Sequence, residues 1–240
     1  MGKRELPALL ALGAVILIGA LWGHGTGIPA DAPAAIPDQT KRYVALTFDD
    51  GPHPGTTDKL LDGLLERNVK ATFFLVGEEA ASNRELVQRM GREGHQVGNH
   101  TWSHRRLDAL PEEEIVQEVG KTDALFRSLL GDGDYWLRPP YGAVRPGTEG
   151  LFHVPLVKWS VDPRDWESRN TQNVVRAVRE AVEPNSIILL HDIYPTSVEA
   201  ALLLIDALHG EGYEFLTVEE MFRRNGITPE QGVLYRNGNP

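Results

Sequence analysis

Short apolar runs alternate with amphipathic segments along most of this chain, and this alternation constrains the fold more than any other feature. Seven runs are typical of buried strands: 43–48, 71–76, 95–98, 135–137, 156–160, 186–190 and 213–217. Between them, periodic apolar residues predict helices, as in "TTDKLLDGLLERN", where four leucines share one face. The alternation predicts an α/β fold with parallel strands covered by helices, either an open sheet or a barrel.

The composition narrows the class of protein. The 240 residues are 41% hydrophobic and 24% charged, which suits one sizeable core. The formal net charge is −10 and no run of Lys and Arg is present, so nucleic acid is not an expected partner. The absence of cysteine excludes disulfides and thiolate metal sites.

The N-terminus indicates export. In "MGKRELPALLALGAVILIGALWGHG", Lys3 and Arg4 precede an apolar stretch from Pro7 to Trp22. Positive charges ahead of such a stretch favour transfer of everything downstream across a membrane. The stretch is slightly shorter than the roughly 20 residues of a usual membrane-spanning helix. A cleaved signal peptide and an uncleaved anchor both remain open, with the anchor slightly favoured.

These features divide the chain into three parts. Residues 1–40 are predicted to be the apolar signal or anchor segment followed by the Pro/Ala-rich linker "GIPADAPAAIPDQ". Residues 41–225 are predicted to form the folded domain, and residues 226–240 a polar C-terminal tail at the surface.

Polar residues follow five of the predicted strands at their carboxyl ends. They are Asp49 and Asp50, His100 and His104, Arg138, Asp162 and Asp165, and His191. In parallel α/β folds these ends share one mouth, where active sites lie, whereas structural polar residues would scatter over both ends. The convergence predicts an enzyme.

Two segments suggest a metal site. "HTWSH" places His100 and His104 four apart, so a helical turn would put both imidazoles on one face, although a structural role is equally compatible. A carboxylate from "TFDDG" would complete a divalent-ion site with an open position for water or substrate. A β-turn also explains "DDG", and spacing does not say whether Asp49 or Asp50 binds the metal.

Three further segments are informative only together. "LRPPYG" could fix Arg138 beside a carboxylate and aim a backbone N–H at a ligand, although a surface Pro-Gly turn is the simpler explanation. "VDPRDW" places two acids and Trp166 on a loop, as an acidic turn would. "SIILLHD" ends a buried strand in His191, a position suited to proton transfer or to a core histidine.

In this order, "TFDDG", "HTWSH", "RPPYG", "DPRDW" and "LLH" resemble the five signature segments of the polysaccharide deacetylases, the carbohydrate esterases of the NodB-homology group. "VKATFFLVG" and "GHQVGNHTWSH" also resemble the connecting sequence of that family. The resemblance covers about Arg42 to Phe222. It implies a distorted barrel of seven or eight β/α units and makes residues 41–225 the catalytic domain.

The resemblance also implies roles for individual residues. Asp49 resembles the general base and Arg138 the residue that orients it, while His191 resembles the general acid and Asp165 the residue that tunes it. The implied ligands of a divalent metal, usually zinc and sometimes cobalt or manganese, are Asp50, His100 and His104. The implied substrate-binding residues are Pro139, Tyr141 through its backbone N–H, Trp166 and Leu189.

The implied activity is metal-dependent removal of N-acetyl groups from cell-wall or chitin-like polysaccharide, and export favours peptidoglycan. Three alternatives stay open: an O-acetyl esterase acting on xylan-type glycan, a glycoside hydrolase with paired carboxylates, and a non-catalytic carbohydrate-binding protein. The expected partners are acetylated polysaccharide and, if the N-terminal segment is uncleaved, a membrane. We expect a monomer.

One segment departs from the family pattern. Between "RPPYG" and "WSVDP" the family usually carries a helix, whereas "AVRPGTEGLFHVP" is shorter and rich in Pro and Gly. This leaves that side of the substrate groove open to question, but not the catalytic residues.

Overall fold

A computed structural model describes residues 1, 2 and 41–240. Apart from Met1 and Gly2, the predicted signal or anchor segment and its linker therefore lie outside the described residues. In the part of the chain that is described, no helix is both long and apolar enough to cross a membrane.

Strands and helices alternate through residues 41–240. The strands are β1 Arg42–Asp49, β2 Thr72–Leu75, β3 Gln96–Asn99, β4 Leu156–Val157, β5 Ser186–His191, β6 Tyr213–Phe215 and β7 Leu234–Tyr235. The α-helices are α1 Thr57–Glu66, α2 Gly77–Ser82, α3 Arg84–Arg92, α4 Glu112–Leu130, α5 Asp165–Ser168, α6 Thr171–Ala181, α7 Pro195–Gly210 and α8 Val218–Arg224.

The main sheet is parallel and has β1 at its centre. Its strands run in the order β3, β2, β1, β5, and β6 pairs with the beginning of β1. Every residue of β1 from Tyr43 to Asp49 is buried, because neighbouring elements cover both faces of the sheet. An almost continuous apolar run, rather than an alternating one, is what such a strand requires. The predicted α/β class with parallel strands is confirmed.

Single bridges extend this sheet beyond β3. Asn99 pairs with Leu137, and Leu137 pairs in turn with Leu156 at the start of β4. The chain beyond β4 then reaches the opposite side of the main sheet, where Val161 pairs with Ile188 of β5. The pairings therefore lead from β5 through β1, β2 and β3 back to β5.

Two predicted strands lose most of their length in the structure. The run 135–137 contributes only the bridges at Leu137, and the run 156–160 keeps only Leu156–Val157 as a strand. In the second run the chain changes partners, because the Lys158 N–H donates to Tyr235 of β7 whereas the Ser160 N–H donates to Ile187 of β5. No single ladder therefore continues through residues 158–160.

The C-terminal segment differs from its prediction as a polar tail. Residues 234 and 235 form β7, which pairs with β4 in parallel. Tyr235 packs against Phe222 of α8 with ring centroids 5.1 Å apart. The apolar run Val233–Leu234–Tyr235 in this mostly polar stretch was the available signal.

The register of the sheet brings the ends of β1 and β5 together. Asp49, the last residue of β1, is the direct partner of His191, the last residue of β5. On its other side Asp49 pairs with Phe74 near the end of β2. The parallel arrangement therefore places the polar residues that follow these strands at one edge.

Candidate active site

A cavity of about 440 Å³ opens at this edge of the sheet. Residues from every predicted motif line it, together with Trp159 and Tyr194. The lining residues from the motifs are Asp49, Asp50, His100, His104, Tyr141, Asp162, Trp166, Leu189 and His191. The convergence expected from the sequence is therefore present in the structure.

Asp50, His100 and His104 form the one group in the described chain that could hold a metal ion. Asp50 Oδ1 lies 3.5 Å from His100 Nε2 and 3.3 Å from His104 Nε2. Ligand atoms about 2 Å from one tetrahedral ion are about 3.3 Å apart, so this spacing fits a shared cation. Asp50 Oδ1 is also buried without any hydrogen-bond partner, as expected of an atom kept free for a cation.

Both imidazoles present a nitrogen suited to metal binding. His100 Nδ1 is 2.6 Å from the Arg138 carbonyl oxygen. Because a carbonyl oxygen can only accept a hydrogen bond, Nδ1 carries the ring proton and Nε2 keeps a lone pair available for a cation. Burial lowers the pKa of His104 below its usual value, and the neighbouring His100 lowers it further. A neutral ring is the form that binds a cation.

The helical turn considered for "HTWSH" does not form. The segment leaves β3 as a loop, with positive φ angles of 68° at Thr101 and 58° at His104. A carboxylate from α4 holds the loop, because the backbone N–H groups of Trp102 and Ser103 donate to Glu118 Oε2 at 3.0 and 2.8 Å. This loop still brings the two imidazoles together, with ring centroids 4.9 Å apart.

Asp49 is fixed by a buried arginine. Arg138 Nη1 donates to Asp49 Oδ1 at 2.7 Å and to Thr47 Oγ1 at 2.8 Å, and its Nη2 donates to the Lys158 carbonyl. Burial lowers the pKa of the Arg138 guanidinium, and the Asp49 charge opposes that effect. The other oxygen of Asp49, Oδ2, lies 3.6 Å from His100 Nε2, at the metal-binding triad. Arg138 therefore orients Asp49 while leaving one carboxylate oxygen beside the cavity.

His191 is held by a second buried carboxylate. Asp165 Oδ1 is 2.8 Å from His191 Nδ1, and Asp165 Oδ2 accepts from the His191 backbone N–H at 2.8 Å and from Ser197 Oγ at 2.6 Å. Burial alone would lower the pKa of His191, but the hydrogen bond and charge of Asp165 outweigh it and raise that pKa to about 9. The imidazolium therefore persists at neutral pH, with Nε2 facing the cavity 3.9 Å from Asp50 Oδ2.

Aromatic side chains form the rim of the cavity. Tyr141 is 59% exposed and Trp166 is 44% exposed, while Leu189 is buried in the wall. Tyr141 has a φ of 59°, a left-handed conformation that costs about 1–3 kcal/mol and is typical of functional sites. Pro139, which the resemblance also assigned to substrate binding, precedes the 3₁₀ turn Pro140–Gly142 and is not one of the lining residues.

The shortened segment after "RPPYG" carries only a 3₁₀ turn, Glu149–Leu151. None of the residues between 143 and 155 lines the described cavity. The departure from the family pattern therefore leaves the residues around Asp50 and His191 in place.

Sequence reasoning missed several contributors to this site. Trp159 and Tyr194 line the cavity, and Ser197 and Glu118 hold Asp165 and the "HTWSH" loop from helices. Asp192 was visible beside His191 in "SIILLHD" but was given no role. It is completely buried, burial raises its pKa to about 7, and it accepts a hydrogen bond from Thr57.

The sequence matches a family model described as polysaccharide deacetylase over residues 37–150. The peptidoglycan-N-acetylglucosamine deacetylase PgdA of Listeria monocytogenes is 38% identical over 184 residues, covering 77% of this chain and 40% of that protein. The peptidoglycan-N-acetylglucosamine deacetylase of Bacillus cereus is 39% identical over 192 residues, covering 76% of this chain and 69% of that protein. The chain thus spans about two fifths of the length of the Listeria relative.

The fold is similar to solved structures of the same group. A structure described as T48 deacetylase with substrate superposes with a TM-score of 0.78 at 41% sequence identity, covering 82% of this chain and 97% of that one.

Proposed function

This chain belongs to the polysaccharide deacetylase family, and on that premise we propose that it is a hydrolase that removes N-acetyl groups from cell-wall polysaccharide. One observation carries the proposal: the Asp50–His100–His104 triad shares a cavity with an arginine-bound carboxylate, Asp49, and with His191. Peptidoglycan is the favoured substrate because both relatives named above are peptidoglycan deacetylases and because the N-terminal sequence indicates export.

We propose that the triad holds a divalent metal, with zinc favoured and cobalt or manganese as alternatives. Zinc is a borderline-soft ion that accepts both imidazole nitrogen and carboxylate oxygen, and two imidazoles with one carboxylate leave one position of a tetrahedral site open. When bound, such an ion supplies Lewis acidity, which makes the acetyl carbonyl more electrophilic and a nearby water more acidic.

The protein residues then divide the proton transfers between them. Asp49 accepts the proton of the attacking water through Oδ2, since Arg138 occupies Oδ1 at 2.7 Å. His191, protonated and held by Asp165, donates a proton from Nε2 to the departing amine. The Tyr141 backbone N–H donates to the acetyl oxygen as negative charge develops, a contact typically worth about 2.7–4 kcal/mol in the barrier. Trp166 and Leu189 wall the acetyl group.

We further propose that the ring of pairings through β1, β2, β3, Leu137, β4 and β5 is the distorted barrel of this family, within a catalytic domain of residues 41–225. The domain acts outside the cytoplasm as a monomer, either anchored by the N-terminal segment or released after its cleavage. Its substrate, an extracytoplasmic glycan, is consistent with that location.

The alternatives differ in what they require of the site. A glycoside hydrolase needs two separated carboxylates across a sugar ring and gives no role to the histidine pair. A carbohydrate-binding protein would need an aromatic rim but neither the Asp49–Arg138 pair nor the His191–Asp165 pair. An O-acetyl esterase would use the same residues, so only the substrate distinguishes it.

The test is acetate release from four acetylated substrates: peptidoglycan, chitin oligosaccharides, partly N-acetylated cell-wall fragments and acetylxylan. We expect release from peptidoglycan, loss of release after treatment with a chelator, and recovery after zinc is added. Asp49→Asn serves as the matched inactive variant. Release from acetylxylan alone would reassign the enzyme as an esterase, and glycan binding without any release would refute the hydrolase.

A further inference from the structure

Asp192 is a buried carboxylate for which the proposed reaction has no use. It follows His191 at the end of β5 and is completely buried. Its side chain does not line the catalytic cavity, and its Oδ1 has no hydrogen-bond partner. Keeping a carboxyl group in such a place is costly, so a role for it is expected.

The carboxyl group of Asp192 lies against the backbone of Gly51. A Cβ added at Gly51 would clash with both carboxylate oxygens of Asp192. Gly51 directly follows Asp50, which adopts a positive φ of 73°. The Gly51 carbonyl is fixed on the other side by the Val76 backbone N–H at 3.2 Å. The turn that aims Asp50 is therefore confined between the end of β2 and Asp192.

Thr57 ties Asp192 to the same loop. The Thr57 hydroxyl donates to Asp192 Oδ2, and it accepts from the His53 backbone N–H at 2.8 Å. The Thr57 N–H also donates to the His53 carbonyl at 3.0 Å. One carboxyl group, on the residue directly after β5, thus fixes both the start and the end of the loop that connects β1 to α1.

We infer that Asp192 is a positioning residue, which holds the Asp50–Gly51 turn through contact with Gly51 and a hydrogen bond to Thr57 and so sets the metal-binding geometry of Asp50. The inference rests on the proposed metal site. Partners that orient a metal ligand typically contribute about 10–100-fold to metal affinity or activity. The contact also accounts for a glycine at position 51.

The experiment is a double-mutant cycle read by zinc affinity of the metal-free protein, measured by competition with a chelating dye. The variants are Gly51→Ala, Asp192→Ala and the two combined. We expect each single variant to bind zinc about 10–100-fold more weakly than wild type. Because Asp192→Ala removes the atoms that the new methyl group meets, the double variant should bind zinc more tightly than Gly51→Ala alone. Circular dichroism of each metal-free variant shows whether it is folded.

Substitution of Thr57 provides a second test, which does not rely on leaving an empty space in the interior as Asp192→Ala does. Thr57→Val should weaken zinc binding, and Thr57→Ser, which keeps the hydroxyl, should restore it. Thr148→Val is the matched control, because Thr148 is also buried and donates to a backbone carbonyl, that of Arg145, away from the metal ligands. It should leave zinc affinity unchanged.

The outcomes separate this inference from the proposed function. If wild type binds no zinc, the metal site and the proposed function fail together. If wild type binds zinc but the losses of Gly51→Ala and Asp192→Ala multiply in the double variant, or Thr57→Val binds like Thr148→Val, the positioning role is refuted and the proposed function stands.

Discussion

Strand β3 has a histidine at each end, and the two sites behave in opposite ways. His95 precedes the strand, and its Nδ1 accepts from the Ala71 backbone N–H at 3.1 Å. His100 follows the strand, and its Nδ1 donates to the Arg138 carbonyl. Both rings are buried. The partner of one ring nitrogen decides what the other can do: Nε2 of His95 must carry a proton, while Nε2 of His100 is free to bind a cation.

The cavities at the two ends of the strand teach the same lesson. The cavity beside His95 is the larger, at about 570 Å³ against about 440 Å³ beside His100. Its lining includes Gln96, Asp134, Trp136 and Glu219. Nevertheless, within the described residues only the group at the His100 end could hold a metal. Convergent chemistry, rather than volume, identifies the site.

The largest expected effect is the difference in zinc binding and activity between variants of His100 and His95. His100→Ala should abolish both zinc binding and acetate release, because it removes a metal ligand. His95→Asn should keep kcat/KM within about 2-fold, because the Asn Oδ1 can still accept from the Ala71 N–H. Metal analysis and acetate release on both variants check the pair. Equal losses in the two would break the comparison.

A smaller loss is expected where the histidine transfers a proton instead of binding metal. His191→Ala should lower kcat by about 10²–10⁴-fold, the usual contribution of a positioned acid. Its zinc content should match that of wild type, since His191 is outside the triad. Turnover at the wild-type rate would remove His191 from the mechanism.

The effect of Asp165 on His191 should be visible in the pH dependence of kcat. The pKa of His191 is about 9, and the acid acts in its protonated form, so kcat should hold up to about pH 9 and fall above it. Asp165→Asn removes the charge that raises this pKa. Its fall in kcat should therefore begin at lower pH, in the direction of the ordinary value near 6.5. A basic limb that does not move would contradict the role of Asp165.

The smallest effect concerns stability and belongs to the other end of β3. Burial lowers the pKa of His95 to about 4, against an ordinary value of 6.5 in the unfolded chain. Between pH 6.5 and 4 the unfolded state therefore binds more protons, and stability falls as the pH falls. From pH 7 to 4.5, His95→Asn should lose about 2–3 kcal/mol less unfolding free energy than wild type. Urea unfolding at both pH values measures this, and equal losses would show that His95 is not responsible.

Much of the fold was predictable because parallel strands that are buried on both faces have continuous apolar sequences. The predictions for β1, β2, β3, β5 and β6 each lie within two residues of the observed ends. The two runs that lost most of their predicted length, 135–137 and 156–160, are those where pairing is limited to single bridges or changes partner. Strand β7 was missed because two residues in a polar segment carry no periodicity.

The site residues in motifs that end a strand were predictable from the sequence. The residues that hold those motifs in place from other elements were less predictable. The chain brings Asp49, Arg138 and His191 together as the motif order indicates. The loop geometry of "HTWSH" could not be anticipated, because it depends on Glu118, a helix residue 15 positions beyond Ser103. Thr57, which lies 135 positions from Asp192, is a similar case. Contacts of that kind leave no local signal in the sequence.

The most direct measurement is zinc titration of two neighbouring variants, Asp49→Asn and Asp50→Asn, because their spacing in the sequence did not say which carboxylate binds the metal. We expect Asp49→Asn to bind one equivalent of zinc with near wild-type affinity and yet to release no acetate. Asp50→Asn should lose tight zinc binding. Loss of zinc in Asp49→Asn together with retention in Asp50→Asn would contradict the assignment of metal ligand and base.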